Sequence, residues 1–255
     1  MRVTLQVKPR KKPFLPIEAE TIVPAHFLDG TDLVVWKGNR ELPLSDVFSV
    51  TVEGTAETAD EVEITMRGDT SRIKRVGEYM EAGRIVIEDD IGMHCGNFMS
   101  GGTIEIGGNA DGWLAREMRG GSIICRGNAG NYCASGYRGE KRGMTGGTVE
   151  VFGNVGDFAA ETLAGGCVVI HGSAGDMAGT EMRGGTLRIE GDCTRVCGNM
   201  TAGTCYVFGT VHDMLPTFRR RGTAVHDGVT LTAFTGDIAN RGKGNLFVRD
   251  YKYMD

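Results

Sequence analysis

Residues 101–121 read GGTIEIGGNADGWLAREMRGG, and residues 120–136 begin the same phrase again as GGSIICRGNAGNYCASG. A glycine pair, two apolar residues in alternation and a Gly-Asn-Ala corner return after 19 residues. Alternation of period two with β-branched residues is a strand signal. One short strand and a glycine-rich corner cannot bury an apolar face alone, so successive units must stack.

Working outward, six units start at Gly83, Gly102, Gly121, Gly147, Gly166 and Gly185, with Gly203 closing the last. Their third and fifth positions are Ile85/Ile87, Ile104/Ile106, Ile123/Cys125, Val149/Val151, Val168/Ile170 and Leu187/Ile189. A degenerate unit precedes them (Val62, Ile64, Gly68, Asp69, Met80) and a partial one follows (Tyr206, Phe208, Gly209). Position 13 runs Cys95, Leu114, Cys133, Ala159, Ala178, Cys197, and position 14 runs Gly96, Ala115, Ala134, Ala160, Gly179, Gly198. Met99, Met118, Met144, Leu163 and Met182 form a further column, where methionine fills irregular volume. These columns predict interior ladders in an all-β protein, a parallel β-helix whose coils at ~4.8 Å make a rod of roughly 35–40 Å. Leucine-rich, hexapeptide and nonapeptide repeats do not fit the period. No G-x-x-x-x-G-K-[ST] motif and no βαβ frame surrounds the corners, so their glycines are not phosphate loops.

Composition agrees. Glycine supplies 40 of 255 residues, yet without a three-residue period and with only 6 prolines, which excludes collagen. Apolar residues between the glycines exclude a flexible linker. The net charge of −5 argues against nucleic acid as the main partner, although basic clusters occur at Lys8 to Lys12 and at Arg219 to Arg221. No apolar stretch approaches the ~20 residues of a membrane span, and the N-terminus lacks a signal-peptide centre, so a cytoplasmic location is expected. Seven cysteines without CxxC indicate neither a disulfide scaffold nor a zinc ribbon.

Three regions are expected: a mixed α/β N-terminal capping segment over 1–61, the β-helix over 62–209, and a C-terminal cap or tail over 210–255. In the first, Val3, Leu5 and Val7 predict a strand, Pro13 and Pro16 punctuate, and Leu33 to Trp36, Gly38-Asn39 and Leu42 to Phe48 predict a strand, a turn and a short helix. The tail carries Arg219, Arg220, Arg221, Arg241, Lys243, Arg249 and Lys252, either a solvated face or a surface for an acidic partner.

One unit is seven residues longer than its neighbours, the excess lying in residues 136–143, GYRGEKRG. Tyr137, Arg138, Lys141 and Arg142 are of the types that favour a partner contact, against the alternative of a tolerated surface insertion. Stacking would bring Asp157 and Asp176 to ~5 Å, the separation of a retaining glycosidase pair. Aspartate at such corners also bonds local amides, and Arg195, next in the column Asn131, Asp157, Asp176, would neutralise it. An enzyme face would need aromatics too, and the variable segments offer Trp113 and Tyr132. Cys95, Cys133 and Cys197 share a column but stand too far apart to bind one metal ion together, and His26, His94, His171, His212 and His226 form no HxH or HExxH set. No catalytic, cofactor-binding or metal residue is expected in this chain.

The glycine coils, the insertion YRGEKRGM at 137–144 and VWKGNRELPLSDVF at 35–48 resemble the C subunit of formylmethanofuran dehydrogenase, a family whose coils are similar to the C-terminal domain of the glutamate synthase large subunit. The resemblance covers roughly residues 30–209 and implies a right-handed β-helix. It implies a non-catalytic scaffold subunit of a molybdenum or tungsten oxidoreductase of methanogenesis, which reduces CO2 and fixes it on methanofuran as formylmethanofuran. The implied cofactors, a Mo or W pterin, iron–sulfur clusters and a binuclear metal site, belong to other subunits. The implied partners are the Mo/W-pterin catalytic subunit and an amidohydrolase-like subunit of one hetero-oligomer. Two other readings stand beside it: the C subunit of a related formyltransferase/hydrolase complex, and a free-standing carbohydrate-active or binding protein using Asp157 and Asp176.

Overall fold

The computed structural model describes residues 1–9 and 15–253; Arg10, Lys11, Lys12 and Pro13, part of the N-terminal basic cluster and its punctuation, lie outside the described residues. Strand β1 (Arg2–Val7) buries Val3, Leu5 and Val7 as their alternation predicts. After β2 (Ile17–Glu18), strands β3 (Val34–Lys37) and β4 (Arg40–Pro43) flank the Gly38-Asn39 turn. A single turn of helix, α1 (Leu44–Val47), follows Pro43 and leads into β5 (Phe48–Glu53). The helix is shorter than the stretch from Leu42 to Phe48, because residues 40–43 pair with β3 instead.

The repeats then begin with β6 (Glu63–Arg67) and the short β7 (Ile73–Lys74). They continue as β8 (Arg84–Ile87), β9 (Thr103–Ile106), β10 (Ser122–Cys125), β11 (Thr148–Val151), β12 (Cys167–Ile170) and β13 (Arg183–Ile189). Each strand is parallel to the next and in strict register: Ile85 faces Ile104, then Ile123, Val149, Val168 and Leu187. All six are fully buried, and burying an aliphatic side chain of this size contributes about 1.5–3 kcal/mol. A second line of parallel bridges joins Ile91, Ala110, Ala129, Val155 and Ala174 at the corners. The chain ends with β14 (Cys193–Thr194), β15 (Ala202–Met214), β16 (Arg219–His226), β17 (Val229–Gly236) and β18 (Gly244–Tyr253).

The result is a predominantly β protein built on one large, mostly parallel sheet, in the order β16-β17-β18-β15-β13-β12-β11-β10-β9-β8-β6-β1-β5, with β14 beside β15. It does not close: β5 and β16 are its two edges. A second sheet, β4-β3-β2-β7, joins residues 17–43 to the first repeats.

Two side-chain ladders explain why the units keep their spacing. Methionines of one unit interlock with the glycine at the start of the next at Gly102, Gly121, Gly147, Gly166 and Gly203. Met118 Cε lies 2.8 Å from where a Cβ on Gly147 would stand, and Gly147 has φ 87°, so only glycine admits both the conformation and the neighbour. At the Gly-Asn corners, a polar side chain of one unit accepts the backbone N–H of the next. Asp90 Oδ1 takes Asn109 N at 2.6 Å, Asn109 Oδ1 takes Asn128 N at 2.8 Å, and Asn128 Oδ1 takes Asn154 N at 2.8 Å. Asn154 and Asp192 continue the series to Ser173 and Thr210. Corner amides that lack a sheet partner are thereby satisfied.

The last unit departs from the expected register. Gly185 and Gly203 are 18 residues apart, so one residue is missing between them. Asp176 pairs with Thr194 rather than Arg195. Cys197, with φ 59° and its N–H on Ala178, takes the place of Gly179 in the fourteenth column, and Val196 takes the thirteenth. For the same reason Cys205 and Val207, not Tyr206 and Phe208, continue the ladders of Leu187 and Ile189. No helix among the described residues is long and apolar enough to cross a membrane.

Candidate partner-contact surface

The insertion is a loop pinched at its base. Gly136 and Gly143 are buried, while residues 137–142 are exposed. A Cβ on Gly143 would stand 2.7 Å from the Gly136 nitrogen, which restricts the pair to residues without side chains. Gly143 N donates to Thr162 O at 2.9 Å, and Glu140 N donates to Tyr137 O at 2.9 Å, closing the tip as a turn. The loop lies over the following units. Tyr132, Tyr137, Arg138, Lys141, Glu161 and Glu181 are among the residues lining a cleft of about 430 Å³ beneath it. Burial, reinforced by Glu181, raises the Glu161 carboxyl above its usual range, and Arg138 opposes that rise.

Tyr137 turns back toward the preceding units, where a stack of rings runs from one unit to the next. His94, Trp113, Tyr132 and Phe158 occupy one corner column and stack in sequence, with ring centres 5.4, 4.8 and 5.1 Å apart. All four have positive φ and are half-buried. Tyr79 and Phe98 form a parallel stack at 4.8 Å. The Arg116 guanidinium bridges the two, 4.5 Å from the Phe98 ring and 5.2 Å from Tyr137. Partly desolvated cation–π contacts of this kind are worth about 0.5–2 kcal/mol each. The sequence reading missed this column because its members differ in type, although they keep the spacing of the glycines. The aromatic face therefore extends beyond Trp113 and Tyr132 to Phe98 and Phe158.

Arg219, Arg220 and Arg221 lie elsewhere. They are exposed on the edge strand β16, six strands from β11 and so about 29 Å along the sheet. The structure does not unite them with Tyr137, Arg138, Lys141 and Arg142 in one patch.

Asp157 and Asp176 are engaged as backbone and ion-pair partners. Asp157 Oδ1 accepts Asp176 N at 2.8 Å, as Asn131 Oδ1 accepts Asp157 N at 2.9 Å one unit earlier. Asp176 Oδ1 is held by Arg195 Nε at 2.9 Å, with a second contact from Arg195 Nη2 to Oδ2. Arg195 thus reaches Asp176 although Thr194, not Arg195, follows it in the column. Cys95 and Cys133 are buried, and burial pushes both thiols up. Cys197 instead adjoins Cys205, and their hydrogen bond, together with burial, holds the Cys205 thiol well above its usual range.

No family model matches the chain. Over 91 residues it is 41% identical to the C subunit of molybdenum-containing formylmethanofuran dehydrogenase 1 of Methanosarcina barkeri, an alignment that covers 34% of this chain and 30% of that protein. Over 93 residues it is 36% identical to the C subunit of tungsten-containing formylmethanofuran dehydrogenase 2 of Methanothermobacter marburgensis, covering 34% of each. These alignments span about a third of the relatives' own length. Among solved structures, a chain of the formyltransferase/hydrolase complex (FhcABCD) from Methylorubrum extorquens, in complex with methylofuran, matches with a TM-score of 0.86 at 26% identity, over 96% of this chain and 98% of that one. The resemblance read from the residues is thus found by both routes: the chain is similar to the formylmethanofuran dehydrogenase C subunit in sequence and to a chain of a formyltransferase/hydrolase complex in its whole fold.

Proposed function

We propose that this chain is a non-catalytic scaffold subunit of a hetero-oligomeric complex that handles a formyl group on a methanofuran-type carrier. The observation that carries the reading is the match over nearly the whole of both chains to a component of such a complex. In this reading the repeats wind as a right-handed parallel β-helix over 62–209, and 1–61 and 210–255 cover its ends. Such a rod is stiff and presents long faces to neighbours.

The complex is read as a formylmethanofuran dehydrogenase, after the names of its sequence relatives. The reaction is then the reduction of CO2 and its fixation on methanofuran, in the cytoplasm. A Mo or W pterin, iron–sulfur clusters and a binuclear metal site reside in partner subunits, among them an amidohydrolase-like one. Tyr137, Arg138, Lys141 and Arg142 contact one partner, and Arg219, Arg220 and Arg221 form a separate contact. The fold match favours a second reading, a formyltransferase/hydrolase complex without the reductase. Metal analysis of the complex co-purified with the tagged chain decides between them. Stoichiometric molybdenum or tungsten supports the dehydrogenase; a complex lacking both, with formyl transfer retained, supports the second reading.

A further inference from the structure

Beside the aromatic stack, a recess of about 270 Å³ is lined by Glu18, Lys74, Arg75, His94, Asn97, Arg116 and Tyr137. Three of these residues keep a buried polar atom without a hydrogen-bond partner: His94 Nδ1, Asn97 Oδ1 and Arg116 Nε. Asn97 is only 2% exposed. A fourth unpartnered atom, Trp113 Nε1, lies on the ring stacked upon His94. Leaving a buried polar atom unpaired costs about 1–3 kcal/mol, so several at one recess mark a place shaped for a molecule that supplies the missing partners.

The chemistry of that molecule follows from the lining. Lys74, Arg75 and Arg116 face a single lining carboxylate, Glu18, which stands 3.9 Å from both Lys74 Nζ and Arg75 Nε. Four carboxylates act on the recess from outside its lining: Glu20 on Arg75 and Asp111 on His94 through their charge, and Glu78 and Glu117 by contact. Glu78 is committed to Arg75 at 2.5 and 3.0 Å, and Glu117 takes the Tyr137 N–H at 3.4 Å while lying 3.8 Å from Arg116 Nε. Burial first, then the charges of Arg116, Arg75 and Lys74, lower His94 to about 4 against the weaker pull of Asp111, so its ring is neutral at pH 7 beside a positive field. Arg116 Nε needs an acceptor, whereas Asn97 Oδ1 needs a donor. A simple anion meets only the first need. A carboxylate carried next to a peptide N–H meets both.

We infer that this recess binds an acidic residue of a peptide segment, its carboxylate on Arg116 and Lys74 and its backbone amide on Asn97. The assignment goes beyond the scaffold reading and does not depend on it. The test uses the full chain and three probes: N-acetyl-aspartate N-methylamide, the matching asparagine compound, and acetate. The nitrogen-15 resonances of the Arg116 Nε–H and Trp113 Nε1–H groups report the recess. The aspartate probe is expected to shift both saturably with a millimolar Kd, the other two binding at least tenfold more weakly. Arg116→Gln and Lys74→Met, each checked for an unchanged amide spectrum elsewhere, should each weaken the aspartate probe at least tenfold. No saturable shift in the wild-type chain, equal affinity for the asparagine compound, or binding indifferent to both variants would overturn the site. Equal affinity for acetate would overturn its peptide character. None of these results bears on assembly, so the scaffold reading fails or survives separately.

Discussion

The Arg116 guanidinium stands 5.2 Å from the centre of the Tyr137 ring, so a residue inside a regular repeat fixes the first residue of the one loop that interrupts the repeats. The insertion is therefore joined to the ring stack rather than projecting freely. Its basic tip, Arg138 to Arg142, is left exposed, the arrangement expected of a contact surface held by a rigid support.

The interlock of methionine and glycine makes Gly147 intolerant of a methyl group. Gly147→Ala places a Cβ 2.7 Å from Gly121 O and 2.8 Å from Met118 Cε at φ 87°. A loss of at least about 2 kcal/mol is expected. Gly139→Ala has φ 92° but no atom within 4 Å, and should cost only its backbone strain, about 1–2 kcal/mol. Denaturant melts of the two variants check this; equal losses would show that the interlock contributes nothing.

Ala134 is fully buried. Ala134→Leu should overpack the corner at about 1–3 kcal/mol, lowering Tm by several degrees. An unaltered melt would refute the inward placement of its column.

Asp157 serves as an acceptor for the Asp176 N–H, a role its amide analogue can fill, as Asn131 does one unit earlier. Asp157→Asn should therefore change stability by less than about 0.5 kcal/mol, whereas Asp157→Ala should cost about 1–2 kcal/mol by orphaning the amide. The reverse order in thermal melts would point to a function of the charge itself.

His94 titrates at about 4 in the folded chain and near 6.5 when unfolded. Between those values the unfolded chain binds the extra proton, so this contribution to stability is present above about pH 6.5 and is lost as the pH falls toward 4. Partial exposure holds it to about 1 kcal/mol. His94→Asn, which tolerates the positive φ of 68°, should remove it. Melts at pH 7 and pH 4.5 should show a smaller acid loss in the variant than in the wild type; equal losses would contradict the shift.

The repeat was legible because its spacing is carried by glycine, which the corners require at fixed positions. Ile104 and Ile123 could be placed opposite each other from the sequence alone, and they are. The reading slipped at Cys197, Cys205 and Val207, where a one-residue deletion moves every later side chain to the neighbouring column. The ring stack escaped because a column of histidine, tryptophan, tyrosine and phenylalanine shares geometry but not identity. The recess could not be read at all. Glu18 reaches it through β2, which pairs with β7 across more than fifty residues, and no local pattern encodes that meeting.

Native mass spectrometry of the affinity-tagged chain, purified from its own host, reads out assembly. The wild-type chain should appear within a hetero-oligomeric mass, and the double variant Arg138→Ala/Arg142→Ala should release at least tenfold more free chain while keeping its own Tm. A wild-type chain found alone at its own 27.4 kDa would rule out the subunit role.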